Sequence, residues 1–105
     1  MADFMKILQQ AQQMQGRLQE MEQELQQQTV TATAGGGMVT VDADGKGTVK
    51  RVKIDASVVN PSDVEMLEDL ILVAVTEAQK KAADLAKQEM GKVAGGLNLP
   101  FQLPF

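Results

Sequence analysis

The chain has 105 residues, with three Phe, no Trp, Tyr, Cys or His, and a net charge of −4. A chain this short buries only about 60–65% of its unfolded surface, so it makes one thin-cored domain that gains by burying more against a copy of itself. Without Cys it has no disulfide framework or thiolate metal site; Met1–Leu8 is too short and mixed for a signal peptide, and no apolar run nears the ~20 residues that cross a bilayer, so a cytoplasmic protein with no membrane partner is expected.

Apolar residues at Phe4, Ile7, Ala11, Met14, Leu18, Met21 and Leu25 keep heptad a/d spacing for three heptads. The faces between them are filled with Gln, a good former of exposed helix. The pattern predicts one long helix over Asp3–Gln28, roughly 39 Å long at 1.5 Å per residue. Gly16 interrupts it at a cost of up to about 1 kcal/mol.

The period then drops to two. Thr29–Ala34 alternates β-branched and small residues, Gly35-Gly36-Gly37 breaks the run, and Met38–Asp42 alternates again. Asp44-Gly45-Lys46-Gly47 reads as a hairpin turn with glycines where positive φ is needed. Thr48–Asp55 is the third strand, with Val52 and Ile54 on one face and Arg51 and Lys53 on the other. A three-stranded antiparallel meander follows, whose edges need covering or pairing. Asn60-Pro61-Ser62-Asp63 reads as the start of a second helix, with Asn60 as cap and Pro61 in the first helical position. Val64, Leu67, Ile71, Ala74, Ala78, Ala82 and Leu85 form its stripe, and Gly95-Gly96 ends it. The fold class is therefore α+β in a single domain over 1–96, followed by an apolar, Pro-containing tail, 97–105, expected to be mobile or loosely docked.

The glycine-rich stretch fails two motif tests. A phosphate-binding P-loop needs G-x-x-x-x-G-K-[ST], but Thr40 stands five residues before Gly45 and Gly47 follows Lys46. A calcium loop starting at Asp42 would put Lys46 at a ligand position and Lys53 where a bidentate Glu is required. No metal, cofactor or small-molecule substrate is expected. Catalysis has few materials: only Ser57 and Ser62 carry aliphatic hydroxyls outside the threonines, and the carboxylates lie mostly on solvated helix faces. No catalytic residue is assigned.

Charge is unevenly spread. Residues 1–19 have net +1 and residues 78–105 net +2, whereas 20–28 have −3 and 56–77 have −5. If the connection over 56–62 turns the second helix back antiparallel to the first, the two basic ends meet in a tip beside Gln9, Gln10, Gln12, Gln13 and Gln15, amides able to bond phosphates or base edges. Lys6, Arg17, Lys80, Lys81, Lys87 and Lys92 are the first candidates for contact with duplex DNA. Lys46, Lys50, Arg51 and Lys53, a cluster without acids in sequence, are the second; a charged strand face also protects an edge from aggregation. Glu77–Lys81, Asp84–Lys87 and Glu89–Lys92 equally fit ordinary surface pairs of a helix. No aromatic stands within Lys46–Lys53 to stack on bases, which argues against a single-strand or RNA platform.

The order and spacing of Gly35-Gly36-Gly37-Met38-Val39-Thr40-Val41, Gly45-Lys46-Gly47, Val52-Lys53-Ile54-Asp55, Met66-Leu67-Glu68-Asp69-Leu70-Ile71 with Ala74 and Ala78, and Met90-Gly91 before Gly95-Gly96 resemble the YbaB/EbfC family of bacterial nucleoid-associated proteins. The Gln-rich opening helix fits as well, so the resemblance spans nearly the whole chain. It implies an α+β homodimer shaped like tweezers, DNA binding with roles in nucleoid organisation and gene expression, and no cofactor. Family tails often carry a basic residue before a final Pro-Phe, and Leu97–Phe105 departs from that pattern. The reading drawn from residues and resemblance together is a cytoplasmic, nucleoid-located, non-enzymatic homodimer that holds duplex DNA mainly by its phosphates. The alternative is a protein–protein adaptor that docks a partner on its amphipathic helices.

Overall fold

A computed structural model describes residues 2–96, and the expectation of a mobile tail over 97–105 lies outside them. In chain order the elements are α1 (Ala2–Gln27), β1 (Thr29–Ala34), β2 (Val39–Asp44), β3 (Val49–Ile54), a 3-10 turn (Ala56–Val58) and α2 (Val64–Gly96). The strands form one antiparallel meander in the order β1-β2-β3. This is the α+β arrangement expected.

Alternation sorts the sheet into two faces. Ala32 and Ala34 of β1 and Val39, Val41 and Ala43 of β2 are buried, while Thr31, Thr33, Arg51 and Lys53 are exposed on the other face. α2 crosses the buried face with Ala74, Ala78 and Ala82, all 0–1% exposed. These stand one helical turn apart, at i, i+4 and i+8. Small residues on helix and sheet let the two backbones approach closely. Leu67, Leu70, Ile71 and Val75 of α2, with Val30, Val49 and Ile54, seal the rim.

Each hairpin is closed by local chemistry. Gly35, Gly36 and Gly37 have φ of 63, 67 and 94°, a left-handed run that Cβ-bearing residues resist. The triplet is thus the turn between β1 and β2. At the second hairpin the Asp44 carboxylate accepts the N–H groups of Lys46 at 2.9 Å and Thr48 at 3.0 Å, and Gly47 takes φ 90°.

The start of α2 corrects the sequence reading. Asn60 and Pro61 lie in a turn of their own, where Asn60 Oδ1 accepts the Ser62 N–H at 2.9 Å and the Asn60 carbonyl accepts the Asp63 N–H at 2.9 Å. Asp63 is the cap, its carboxylate accepting the Met66 N–H at 3.2 Å. Both Asn and Asp cap helices, and Pro suits a turn's second position as well as a helix's first. Starting at Val64 leaves Asp63 to serve the free amides.

α1 is fastened to the sheet at its C-terminal end. The Gly45 N–H donates to the Leu25 carbonyl at 2.7 Å, and Met21 and Leu25 are buried. From there α1 runs antiparallel to the far half of α2: Met21 and Leu25 share a groove with Gln79, Ala83 and Ala86, and Arg17 and Glu20 share another with Glu89, Lys92 and Val93. The molecule measures 72 × 22 × 16 Å with a radius of gyration of 19.6 Å, against about 13 Å for a compact domain of a hundred residues. The excess is a helical arm that leaves the sheet.

Candidate nucleic-acid interface

The arm carries four of the six first-choice cations. Lys6 lies on the outer part of α1, where every residue from Asp3 to Gln13 is exposed. Gln9, Gln10, Gln12 and Gln13 stand on the same stretch and Gln15 is exposed just beyond it. Arg17 is in the groove between the helices with Glu20, Glu24, Glu89 and Lys92. Lys87 is exposed on the distal part of α2, and Lys92 Nζ stands 3.2 Å from Glu89 Oε1.

Lys80 and Lys81 are not at the tip. They belong to the stretch of α2 whose Ala78 and Ala82 pack on the sheet, and Lys81 Nζ donates to the Thr31 carbonyl of edge strand β1 at 2.7 Å. The helix covers the sheet for more of its length than its sequence discloses, so these two lysines sit over the body. The predicted pairing of Lys81 with Glu77 gives way to this edge contact, while Glu89–Lys92 forms as an i,i+3 pair. Beyond Ala82, Lys87 and Lys92 are balanced by Asp84 and Glu89. The tip is therefore a mixed-sign surface with protruding cations, not a uniformly basic one.

The second-choice cluster also changes character in space. Arg51 and Lys53 lie on the outer sheet face, but the β2–β3 register sets Arg51 opposite Asp42. Lys50 Nζ lies 3.7 Å from Asp44 Oδ2, and Lys46 occupies the turn. Antiparallel pairing brings in acids that the sequence places elsewhere. Thr31 Oγ1 donates to Asp42 Oδ1 at 2.8 Å, which leaves the outer face hydrogen-bonded and polar. Burial acts to raise the Asp44 carboxyl, but the N–H groups of Thr48 and Lys46 and the nearby ammonium groups of Lys50 and Lys46 outweigh it and hold it below the ordinary range. Hydrogen bonds from the Ser57 backbone and hydroxyl likewise lower Asp55.

What positions the arm was not read from the sequence. A Cβ on Gly45 would stand 2.7 Å from the Leu25 carbonyl oxygen and 2.8 Å from its Cδ2, so this glycine admits the end of α1. The sequence pattern marks it only as one of two turn glycines. Among the described residues no cluster of His, Cys, Asp and Glu is placed to hold a metal ion, and no helix is long and apolar enough to cross a membrane.

Chemically, this is a rod of exposed amides and mixed-sign charges mounted on a polar sheet. Comparison with known proteins gives it a context: residues 1–97 match the YbaB/EbfC DNA-binding family. The chain belongs to this family. A nucleoid-associated protein of Gemmatimonas aurantiaca is 62% identical over 103 residues, covering 98% of this chain and 99% of the relative. One from Syntrophobacter fumaroxidans is 50% identical over 93 residues, covering 89% and 84%. The YbaB/EbfC chain also shares its fold with the crystal structure of an uncharacterised Helicobacter pylori protein, at a TM-score of 0.71 and 23% identity over 78% of this chain and 86% of the other. YbaB/EbfC proteins are a DNA-binding family rather than an enzyme class, and the residues quoted for the resemblance lie within the matched span.

Proposed function

We propose that this YbaB/EbfC protein acts in the bacterial nucleoid, in the cytoplasm, as a non-catalytic homodimer that binds duplex DNA mainly through phosphates. Low sequence specificity would suit it to organising DNA and thereby influencing gene expression. The observation that carries the reading is the family match over 1–97, supported by relatives named as nucleoid-associated proteins. Lys6, Arg17, Lys87 and Lys92 on the arm are the leading contacts. Exposed lysines and arginines neutralise phosphates as separate point charges, and the glutamines add neutral donors. Lys80, Lys81, Lys46, Lys50, Arg51 and Lys53 on the body come second. No metal or cofactor enters the proposal.

Dimerisation has a candidate surface at β3. This strand is a sheet edge, and edges with unpaired backbone groups invite pairing. Val52 on it is 43% exposed, and Leu72 of α2 is 65% exposed. Gln79 reaches the Gly47 carbonyl at the β2–β3 hairpin; Leu72, two turns earlier, shares that flank of the helix. A second copy seated there would cover both apolar residues and the strand edge.

Fluorescence anisotropy across a salt series, with a random-sequence duplex beside an A·T-rich one, tests the DNA reading. Affinity that falls steeply with salt and barely separates the two duplexes is the expected result. A second reading, a protein–protein adaptor without DNA binding, is favoured by the exposed Phe4, Met5, Ile7 and Leu8 of α1. A nuclease-treated dimer that fails to bind duplex at low salt would contradict the DNA reading and favour the adaptor instead.

A further inference from the structure

One groove of the arm gathers charges of both signs. Arg17, Glu20 and Glu24 of α1 line it from one side, and Glu89 and Lys92 of α2 from the other. Two cations against three carboxylates leave this groove at a net charge of −1. Lys92 Nζ stands 3.2 Å from Glu89 Oε1, and the Glu89 side chain is only 19% exposed against 75% for Lys92. The carboxylate is thus set into the groove, while the lysine that serves it stays largely in solvent. Arg17 is exposed and stands one helical turn before Glu20, a spacing at which side chains on a helix meet.

Outward of Arg17 the chemistry changes. Residues 4–16 hold Lys6 and five glutamines and no carboxylate at all. The acids of the arm therefore begin where α1 and α2 face each other, and they surround two of its four cations. Exposed ion pairs add little to folding. They weigh directly on association with a polyanion, because a phosphate must take each cation from its carboxylate and release of counterions drives that contact. Charges that line one groove are also screened far less by salt than charges at opposite ends of the molecule.

We propose that Glu20, Glu24 and Glu89 set the DNA affinity of the arm by competing with phosphates for Arg17 and Lys92. The inference rests on the reading of the arm as a duplex-binding element. The three carboxylates hold the groove cations between encounters and reclaim them when the duplex leaves. Lys6 and the glutamines of outer α1 are open to DNA at all times; Arg17 and Lys92 engage it only by leaving the acids. Binding is thereby weakened and kept readily reversible.

The variant Glu20→Gln, Glu24→Gln, Glu89→Gln removes the three charges with little change in side-chain size. In a duplex-binding salt series at 0.1 M salt it should bind about tenfold more tightly than the native chain, with a log–log slope steeper by up to about 1.8, two phosphate contacts at about 0.9 each. A control, Glu65→Gln, Glu68→Gln, Asp69→Asn, makes the same change in net charge at exposed positions of the body and should bind as the native chain does. Adding Arg17→Ala and Lys92→Ala to the arm variant should cancel its gain, since the acids act through those two cations. Unchanged affinity and slope in the arm variant, with the native chain binding, would overturn the inference alone. An equal gain in the control, or a gain that survives loss of Arg17 and Lys92, would also overturn it, because general repulsion then replaces competition. If neither the native chain nor the arm variant binds at low salt, the DNA reading fails and takes this inference with it.

Discussion

Gly45 sets where the long arm points. Its N–H holds the Leu25 carbonyl at 2.7 Å, and a methyl group there would press on the Leu25 backbone and side chain at under 3 Å. Gly45→Ala should therefore lower stability by about 1–3 kcal/mol, as overpacking does, read as a fall in the urea midpoint. Gly16 is the contrasting case: a Cβ there meets nothing within 4 Å. Gly16→Ala should raise stability by roughly 0.5–1 kcal/mol through helix propensity alone. An unchanged midpoint for Gly45→Ala, or a loss for Gly16→Ala, would contradict this account of α1. Asp44 supplies a pH dependence. Its carboxyl titrates lower in the folded chain than in the unfolded one, so its contribution is full above the unfolded value, near 4, and disappears as pH falls through the folded value. Asp44→Asn should lie below the native chain in urea stability at pH 7, with the gap closing below about pH 4. A gap that stays constant with pH would show that the charge on Asp44 has no part in holding the hairpin.

At the scale of elements, α2 depends on its alanines. Ala74 and Ala78 are 0% exposed against a sheet whose inward residues are themselves Ala and Val. Ala78→Leu should push helix from sheet and cost about 1–3 kcal/mol, measured by urea unfolding followed by circular dichroism. A neutral outcome would mean that the close helix–sheet approach is not needed. The elements themselves were largely legible, because periods of 3.5 and 2 are direct consequences of helix and strand geometry. The glycines likewise marked both hairpins. Less was legible where two local solutions compete: Asn60-Pro61-Ser62-Asp63 could be either helix start or turn, and only the packed position of α2 gives the cap to Asp63. Lys80 and Lys81 show a further limit. Whether a lysine on a long helix lies at a tip or over a sheet depends on how far the helix travels across the sheet, and no local pattern encodes that distance.

At the scale of the whole molecule, the elongated shape would keep the two proposed tasks, pairing and DNA contact, apart. The sheet and the first half of α2 form the body, with an open β3 edge and the exposed Val52 and Leu72; the arm projects away carrying Lys6, Arg17, Lys87 and Lys92. Leu72→Glu should convert a dimer to a monomer in sedimentation equilibrium, since it buries a charge in the proposed contact. An unchanged dimer would move the interface elsewhere. The proposed dimer would double the arms presented to one duplex, and linked contacts gain affinity by effective concentration. Of the global charge of −4, the part near the start of α2 is largely screened from the arm at 0.1 M salt, where charges farther apart than about 10 Å interact weakly, whereas Glu20, Glu24 and Glu89 share the groove with Arg17 and lower its net attraction for phosphate. The acidic residues near the start of α2 are separated from the arm by the length of the sheet.

The most direct test is the salt dependence of duplex affinity, compared between the native protein and a Lys6→Ala, Arg17→Ala, Lys87→Ala, Lys92→Ala variant shown to fold and to keep the native oligomeric state. Each phosphate contact contributes about 0.9 to the slope of log affinity against log salt. Loss of the four cations should weaken binding to every sequence alike and make the slope distinctly shallower. An identical slope and affinity in the variant would contradict the arm as the DNA-binding element and transfer that role to the cations of the body.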